Sequence, residues 1–349
     1  MASPAAHRED TAPAPGPPLM EVTDLVKHFP ITRGLLRRTV GHVRAVDGVS
    51  FTIGAGETVG LVGESGSGKS TVARLVLRLL DPTSGSVKFD GQEIAALSQR
   101  ELTPLRRNMQ IVFQDPVSSF DPRMTICSVI TEPLEAQGIS SGQQARDRAA
   151  ELLDLVGLSS RDLDKYPHQF SGGQAQRIGI ARALATNPRL LVCDEAVSAL
   201  DVSVQAQVLN LLRKLQVELG LSYLFIAHDL NVVRYISDRI CVMYLGRVVE
   251  QGPADAVMTD PKHPYTRTLA GAIAADPRTG GGTRRVVVRG EMPSPSNPPP
   301  GCPFHPRCPQ AFDRCSTEVP APLPAGEGGR TASCHLLDIT AVNGKAVGR

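Results

Sequence analysis

The chain has 349 residues, a formal net charge of +2 and 41% hydrophobic residues, enough for one large α/β domain and a smaller appendage. Aromatic residues make up only 4% and tryptophan is absent, which leaves little for base stacking, and the small net charge gives no hint of a broad phosphate-binding face. A nucleic-acid partner is therefore disfavoured. No apolar run approaches the roughly 18–20 residues that cross a bilayer, and the N-terminal MASPAAHREDTAPAPGPPL has no apolar signal core, so the chain is expected to stay in the cytosol.

In chain order, residues 1–18 are rich in Pro and Ala and read as a disordered tail. Residues 19–252 alternate β-rich apolar runs with helix-like segments, the order expected of an α/β domain with a mainly parallel sheet. The strand runs are Val49 to Ile53, Thr58 to Val62, Leu190 to Cys193 and Leu224 to Ala227. From Pro253 onward Pro and Gly become dense, peaking at MPSPSNPPP, so residues 253–340 are expected to form a linker and a small Cys-bearing module, with 341–349 as a tail. No internal repeat is visible.

The segment from Gly63 to Thr71, GESGSGKST, fits GxxxxGK[ST] between an apolar strand and the helix-like TVARLVLRLL. Its glycines let backbone N–H groups curl around phosphates, Lys69 brings a point charge to the β and γ groups, and Ser70 can ligate Mg²⁺ at the positive helix end. Gly63, Ser65, Gly66, Ser67, Gly68, Lys69, Ser70 and Thr71 are thus the expected nucleotide-binding residues. Further on, the apolar run LLVC ends in Asp194 and Glu195, at the strand end where ligands bind in open α/β sheets. Asp194 is placed to reach the Mg²⁺ shell, and Glu195 to take a proton from an attacking water or to orient it.

The segment Phe170-Ser171-Gly172-Gly173-Gln174-Ala175-Gln176-Arg177 resembles the signature of ABC ATPases. A Ser hydroxyl and Gly amides opening a helix form a second anion site. The resemblance implies that two such domains close head to tail, each signature capping the γ-phosphate held by the other. Gln114 in VFQDP resembles the family's Q-loop, which reaches Mg²⁺. Ser198-Ala199-Leu200-Asp201 resembles its D-loop, and His228 in FIAHD its switch histidine beside the γ-phosphate. Phe29 in LVKHFP resembles the aromatic that stacks on adenine, with a core position as the alternative. The implied fold is an ABC-type phosphate-loop ATPase domain with a helical signature subdomain at about 115–185.

The insert GLLRRTVGHVRAVDGVSF, the segment DPVSSFDPRMT, the run DEAVSALDVSVQAQ, the later HPYTRTL and the Cys-rich end narrow the likeness to ATPase subunits of dipeptide and oligopeptide importers. The insert resembles the second of the two ATPase subunits such importers carry. That implies a heterodimer with a sister ATPase, two transmembrane permease subunits gripped by the region after Gln114, an extracytoplasmic substrate-binding protein, and a place on the cytoplasmic membrane face. The chain departs from the family in Ala196-Val197, where most members have Pro-Thr, and in Phe170, where Leu is usual. Neither change removes a ligand or base.

Seven cysteines in a reducing compartment suggest no disulfide framework. Cys127, Cys193 and Cys241 lie scattered in apolar surroundings and read as small buried hydrophobes. Cys302, Cys308, Cys315 and Cys334 cluster near His305 and His335, which suggests a metal, and the spacing alone does not choose between Zn²⁺ and an iron–sulfur cluster. Some peptide-importer relatives bind a four-iron cluster with such cysteines, so the resemblance implies [4Fe-4S] on these four thiolates, with zinc or free thiols as alternatives. Competing functions are the same role in an importer of nickel or another small solute, a soluble non-transport ABC ATPase, and a non-catalytic regulatory module.

Overall fold

The computed structural model describes residues 16–34, 38–274 and 290–338. The expected N-terminal tail lies outside these residues except for 16–18, and the expected tail at 341–349 lies wholly outside them.

Two sheets share the ATPase region. The smaller is antiparallel, in the order β2-β1-β4-β5, built from β1 (Met20–Arg33), β2 (Arg38–Ile53), β4 (Ser84–Phe89) and β5 (Gln92–Glu93). The first two strands pair from Met20 opposite Ile53 to Arg33 opposite Arg38. The insert after Phe29 therefore lengthens a hairpin, and Phe29 keeps its place in β1 opposite Val43.

Among the described residues the larger sheet has eight strands. Its parallel centre runs β9 (Arg239–Tyr244), β3 (Thr58–Val62), β8 (Ser222–Ala227), β7 (Leu190–Asp194) and β6 (Met109–Val112). Every residue of β3 and β8 is buried, which is why TVGLV and SYLFIA read as unbroken apolar or small-residue runs without alternation. The helices α1 (Lys69–Val76), α7 (Val202–Leu219) and α8 (Leu230–Ile236) follow β3, β7 and β8 and bury apolar stripes. Between β6 and β7 stands the helical subdomain: α3 (Pro116–Ser119), α4 (Ile126–Ala136), α5 (Gly142–Leu155) and α6 (Gly172–Leu184). The remaining ATPase-region helix, α2 (Gln99–Arg106), precedes β6 and starts at a Ser98/Glu101 capping box.

The C-terminal region, expected as a linker and a small Cys-bearing module, continues the larger sheet. Past β9 the sheet turns antiparallel through β10 (Arg247–Pro253), then β12 (Thr331–Ala332) and β11 (Leu323–Pro324). Helices α9 (Ala254–Thr259), α10 (Pro264–Ala274) and α11 (Asp313–Thr317) lie between β10 and β11. Arg330, in the turn between β11 and β12, donates from Nη2 to Glu250 of β10 at 2.7 Å, with side-chain exposures of 4% and 0%. The same carboxylate accepts the backbone N–H groups of Lys262 and His263 at 2.9 and 2.8 Å. One buried ion pair thus ties the last strands to the turn that starts α10.

Removing Arg330 leaves a buried carboxylate without its counter-charge, a loss of about 3–5 kcal/mol. Arg330→Leu should therefore lower the urea midpoint of the whole chain in one cooperative step. Unfolding of the ATPase region at an unchanged midpoint would show the C-terminal strands to be dispensable.

Candidate active site

Strands β3, β7 and β8 end level with one another: Val62 lies opposite Ala227, and Asp194 opposite Ile226. The residues that follow, Gly63, Glu195 and His228, therefore emerge along one edge, where parallel α/β sheets bind ligands.

The loop from Gly63 turns into α1 at Gly68, whose φ of 103° is left-handed. A side chain there is doubly excluded, because its Cβ would fall 2.1 Å from the carbonyl oxygen of Ala45. Strand β2 thus presses on the loop at Ala45, two residues along from Val43, the partner of Phe29. Phe29 is half-buried, with Lys27 Nζ 5.2 Å from its ring centroid.

Lys69 is 4% exposed. Its Nζ donates to the carbonyl oxygens of Gly63 and Glu64 at 2.8 and 2.9 Å, with Ser67 Oγ at 3.5 Å. Burial pushes its pKa down, opposed by the charges of Glu195, Asp194 and Glu64. Ser65 and Gly66 are exposed at the loop tip, Ser67 is buried, and Ser70 and Thr71 are half-buried on the first turn of α1.

Ser70 Oγ donates to Asp194 Oδ1 at 2.9 Å. Two hard oxygen donors at a helix N-terminus fit Mg²⁺, which Ser70 and Asp194 would hold and which would neutralise phosphate charge there. Burial, above all, and the adjacent Glu195 charge raise the Asp194 pKa against that hydrogen bond. Gln114, the third expected Mg²⁺ ligand, is exposed just past β6.

Glu195 has a left-handed φ of 51° but still donates its N–H to Ile226 O at 2.9 Å. The chain therefore turns sharply after β7 while staying hydrogen-bonded to β8, which holds the carboxylate at the sheet edge. Its side chain is 20% exposed, and Oε2 lies 3.9 Å from Nδ1 of the 57%-exposed His228. The structure brings the expected base and the expected switch histidine side by side. Ala196 and Val197, the departure from Pro-Thr, are buried in the core.

The signature opens α6. Ser171 is its N-cap: Oγ accepts from Gln174 N–H, and Gln174 Oε1 accepts from Ser171 N–H at 3.0 Å. Ser171, Gly172 and Gln174 are exposed and Gly173 half-buried. A Cβ on Gly173 would meet Val204 Cγ1 at 2.3 Å, so glycine lets α6 approach the start of α7. Asp201 caps that helix, accepting from Val204 N–H at 3.0 Å. Signature and D-loop segments are thus packed together on an exposed face.

Between the stretch after Gln114 and the helices α4 and α6 runs a groove of about 240 Å³, lined by Phe113, Pro116, Phe120, Glu132 and Arg182 among others. A cavity of about 590 Å³ under the β1–β2 hairpin is lined by His28, His42, Arg44, Asp47 and Arg247 among others, and in it Asp47 accepts from both Arg247 and His28.

Cys302, Cys308, Cys315 and Cys334 line one small cavity with His263, Phe304, His305 and His335. Burial, above all, with the neighbouring thiols adding to it, pushes Cys302 up to about 11 and raises Cys308 and Cys334. Among the described residues, no group of three or more His, Cys, Asp or Glu is placed to hold a metal ion. The expected metal site is thus not found as a ready-made ligand set; the four thiols share a wall. Of the other cysteines, Cys193 and Cys241 are buried as expected, whereas Cys127 is only half-buried.

Reading the loop by its motif passed over Glu64, whose contacts run to Tyr265 and Arg307. The HPYTRTL segment was the visible signal for Tyr265, but nothing local ties it to the loop.

A phosphate loop, a Ser–Asp pair suited to Mg²⁺ and a carboxylate beside a histidine at parallel strand ends define a phosphate-loop nucleotide hydrolase. The family description "ABC transporter" matches residues 46–198, and "Oligopeptide/dipeptide transporter, C-terminal region" matches 249–315. A probable peptide ABC transporter ATP-binding protein of Sinorhizobium fredii is 54% identical over 91% of this chain and 90% of its own. The oligopeptide transport ATP-binding protein AppF of Bacillus subtilis is 50% identical over 91% and 97%. Among solved structures, the ATP-binding cassette MJ0796, a dimer bound to ADP and Pi, superposes with a TM-score of 0.60 at 33% identity, covering 67% of this chain and 98% of that one. The chain belongs to the family of ABC transporter ATP-binding proteins and is an ATPase of that family.

The raised pKa of Asp194 carries a sign. When both states are protonated at low pH the effect vanishes; as pH rises from the unfolded carboxylate's pKa to the higher folded one, stability falls, and above the folded value the loss stays constant. Asp194→Asn should therefore melt higher than wild type at pH 7 without nucleotide, with the gain shrinking toward acid, while Mg²⁺-dependent ATP hydrolysis is lost. Scanning calorimetry across pH checks the first part and phosphate release the second.

Proposed function

We propose that the chain is the ATP-hydrolysing subunit of a peptide importer, working on the cytoplasmic face of the membrane. The observation that carries this reading is the level alignment of the phosphate loop, Asp194–Glu195 and His228 at one sheet edge, with an exposed signature helix elsewhere on the same domain. The likeness to peptide transport relatives over about nine-tenths of the chain supports the cargo class.

In this reading Lys69 and the loop amides bind the β and γ phosphates, and Phe29 stacks on adenine. Ser70, Asp194 and Gln114 hold Mg²⁺, which neutralises phosphate charge. Glu195 accepts a proton from the attacking water, and His228 contacts the γ-phosphate from the adjoining strand end. Hydrolysis breaks the γ-phosphoryl bond to ADP and forms a bond to the water oxygen, giving ADP and Pi. The exposed Ser171–Gln174 turn caps the nucleotide of a sister ATPase, whose own signature caps the one held here, with the Asp201 segment beside it. Closing this heterodimer moves the groove after Gln114, in which a cytoplasmic helix of two permease subunits rides. A substrate-binding protein on the far side delivers the peptide. Consistent with a peripheral subunit, no helix among the described residues is long and apolar enough to cross a membrane.

A [4Fe-4S] cluster on Cys302, Cys308, Cys315 and Cys334 is also part of the proposal. Four soft thiols from separate segments on one cavity favour it over a harder ion. Anaerobic purification with iron and acid-labile sulfide analysis tests the cluster: about four of each per chain supports it, and a colourless protein lacking both rules it out.

With permease and sister subunits in vesicles, ATP hydrolysis should rise when peptide-loaded binding protein is added and fall by about 10²–10⁴-fold in Glu195→Gln. Unchanged hydrolysis in the variant would assign the chemistry to the sister's site. Hydrolysis that responds to a nickel-loaded or other solute-loaded binding protein instead would reassign the cargo.

A further inference from the structure

Glu64, the second residue of the phosphate loop, is held from the C-terminal region. Its carbonyl accepts from Lys69 Nζ at 2.9 Å and from Ser67 N–H at 3.2 Å, on the inner side of the loop. On the outer side its N–H donates to Tyr265 Oη at 2.9 Å, and its carboxylate accepts from Arg307 Nη1 at 3.1 Å. A single residue therefore joins the cation that binds phosphate to two residues more than two hundred positions away in the chain.

The two outer partners are firmly seated. Tyr265, on the first turn of α10, is fully buried, and Arg307, in the turn between Cys302 and Cys308, has a side chain 7% exposed. Tyr265, Phe304 and Tyr244 at the end of β9 form a ring cluster with centroids 4.8, 5.2 and 5.3 Å apart. Arg307 also donates to Tyr244 Oη at 3.3 Å. The start of α10 is set in turn by the Glu250 carboxylate that binds the His263 amide.

The electrostatics explain why such a brace is needed. A carboxylate inside a phosphate loop repels a polyanionic ligand and competes with it for Lys69, whose charge it already stabilises. Arg307 neutralises that carboxylate and draws it outward, while Tyr265 fixes the backbone from which the Glu64 carbonyl meets Lys69.

We propose that Tyr265 and Arg307 are positioning residues for the phosphate loop, so that the C-terminal region around Cys302 and Cys308 sets the affinity of the site for nucleotide. The inference rests on nucleotide binding at this loop and is independent of what is transported.

The test is MgATP binding to the full-length chain, by isothermal titration calorimetry, with melting of each nucleotide-free variant in parallel. Losing a hydrogen bond to a charged group corresponds to roughly tenfold, so Arg307→Gln should raise Kd about that much and Tyr265→Phe by about threefold or more. Compared with Glu64→Gln alone, the double variant Glu64→Gln/Arg307→Gln should show little further loss, because Arg307 acts through that carboxylate. Arg307→Lys, which keeps the charge, should lie between. Wild-type binding with an unchanged Kd in Arg307→Gln would overturn the inference alone. So would an Arg307→Gln defect that persists in full beside Glu64→Gln, because that is what loss of packing gives. Failure of the wild-type chain to bind MgATP would overturn the nucleotide reading and the inference together.

Discussion

The site depends on one ammonium group kept from water. Lys69 is buried at the first position of α1, with carbonyl oxygens as its hydrogen-bond partners and the carboxylates of Glu64, Asp194 and Glu195 supplying the field that keeps it charged. A buried amine without compensation sheds its proton, so the acidic strand end and the basic loop each make the other tenable. The Asp194 carboxylate bears the reverse burden, raised by burial and by its neighbour. The arrangement costs stability in the empty protein, and phosphates with Mg²⁺ are the groups that relieve it.

Around that cation the fold supplies rigidity from two directions. From the sheet come three level strand ends and the Glu195 turn, still bonded to Ile226. From the C-terminal region come β12 and the buried Arg330–Glu250 pair, which fix the start of α10 and through it the ring cluster against the loop. On an exposed face, Gly173 allows the signature helix to press on Val204, so the two segments expected to meet a partner are packed together.

The central chemistry was legible because its residues lie in short contiguous motifs: the loop from Gly63 to Thr71, Asp194–Glu195 and the Ser171 cap all appear where their spacing places them. The buried parallel strands were legible for the same reason, as unbroken apolar runs. What escaped depends on contacts distant in sequence. Strands of two residues, such as Thr331–Ala332, carry no periodicity, so their addition to β10 was hidden behind the expected linker and small module. The Pro-rich stretch reads as a linker although Pro295 O accepts the N–H of Arg44 and seats part of it on β2. The role of Glu64 needs partners from both α10 and the Cys302–Cys308 turn, and Cys127 looked buried because its neighbours are apolar although the structure leaves it half-exposed.

In the proposed function the nucleotide phosphates bind the buried ammonium of Lys69. Titration of MgATP into the full-length chain and into Lys69→Ala, both checked for folding by circular dichroism, tests it most directly. Loss of a charge-assisted contact to two phosphates should weaken binding by roughly a hundredfold, about 2.7 kcal/mol. Equal affinity in the two proteins, with the alanine variant fully folded, would contradict the account and place the nucleotide elsewhere.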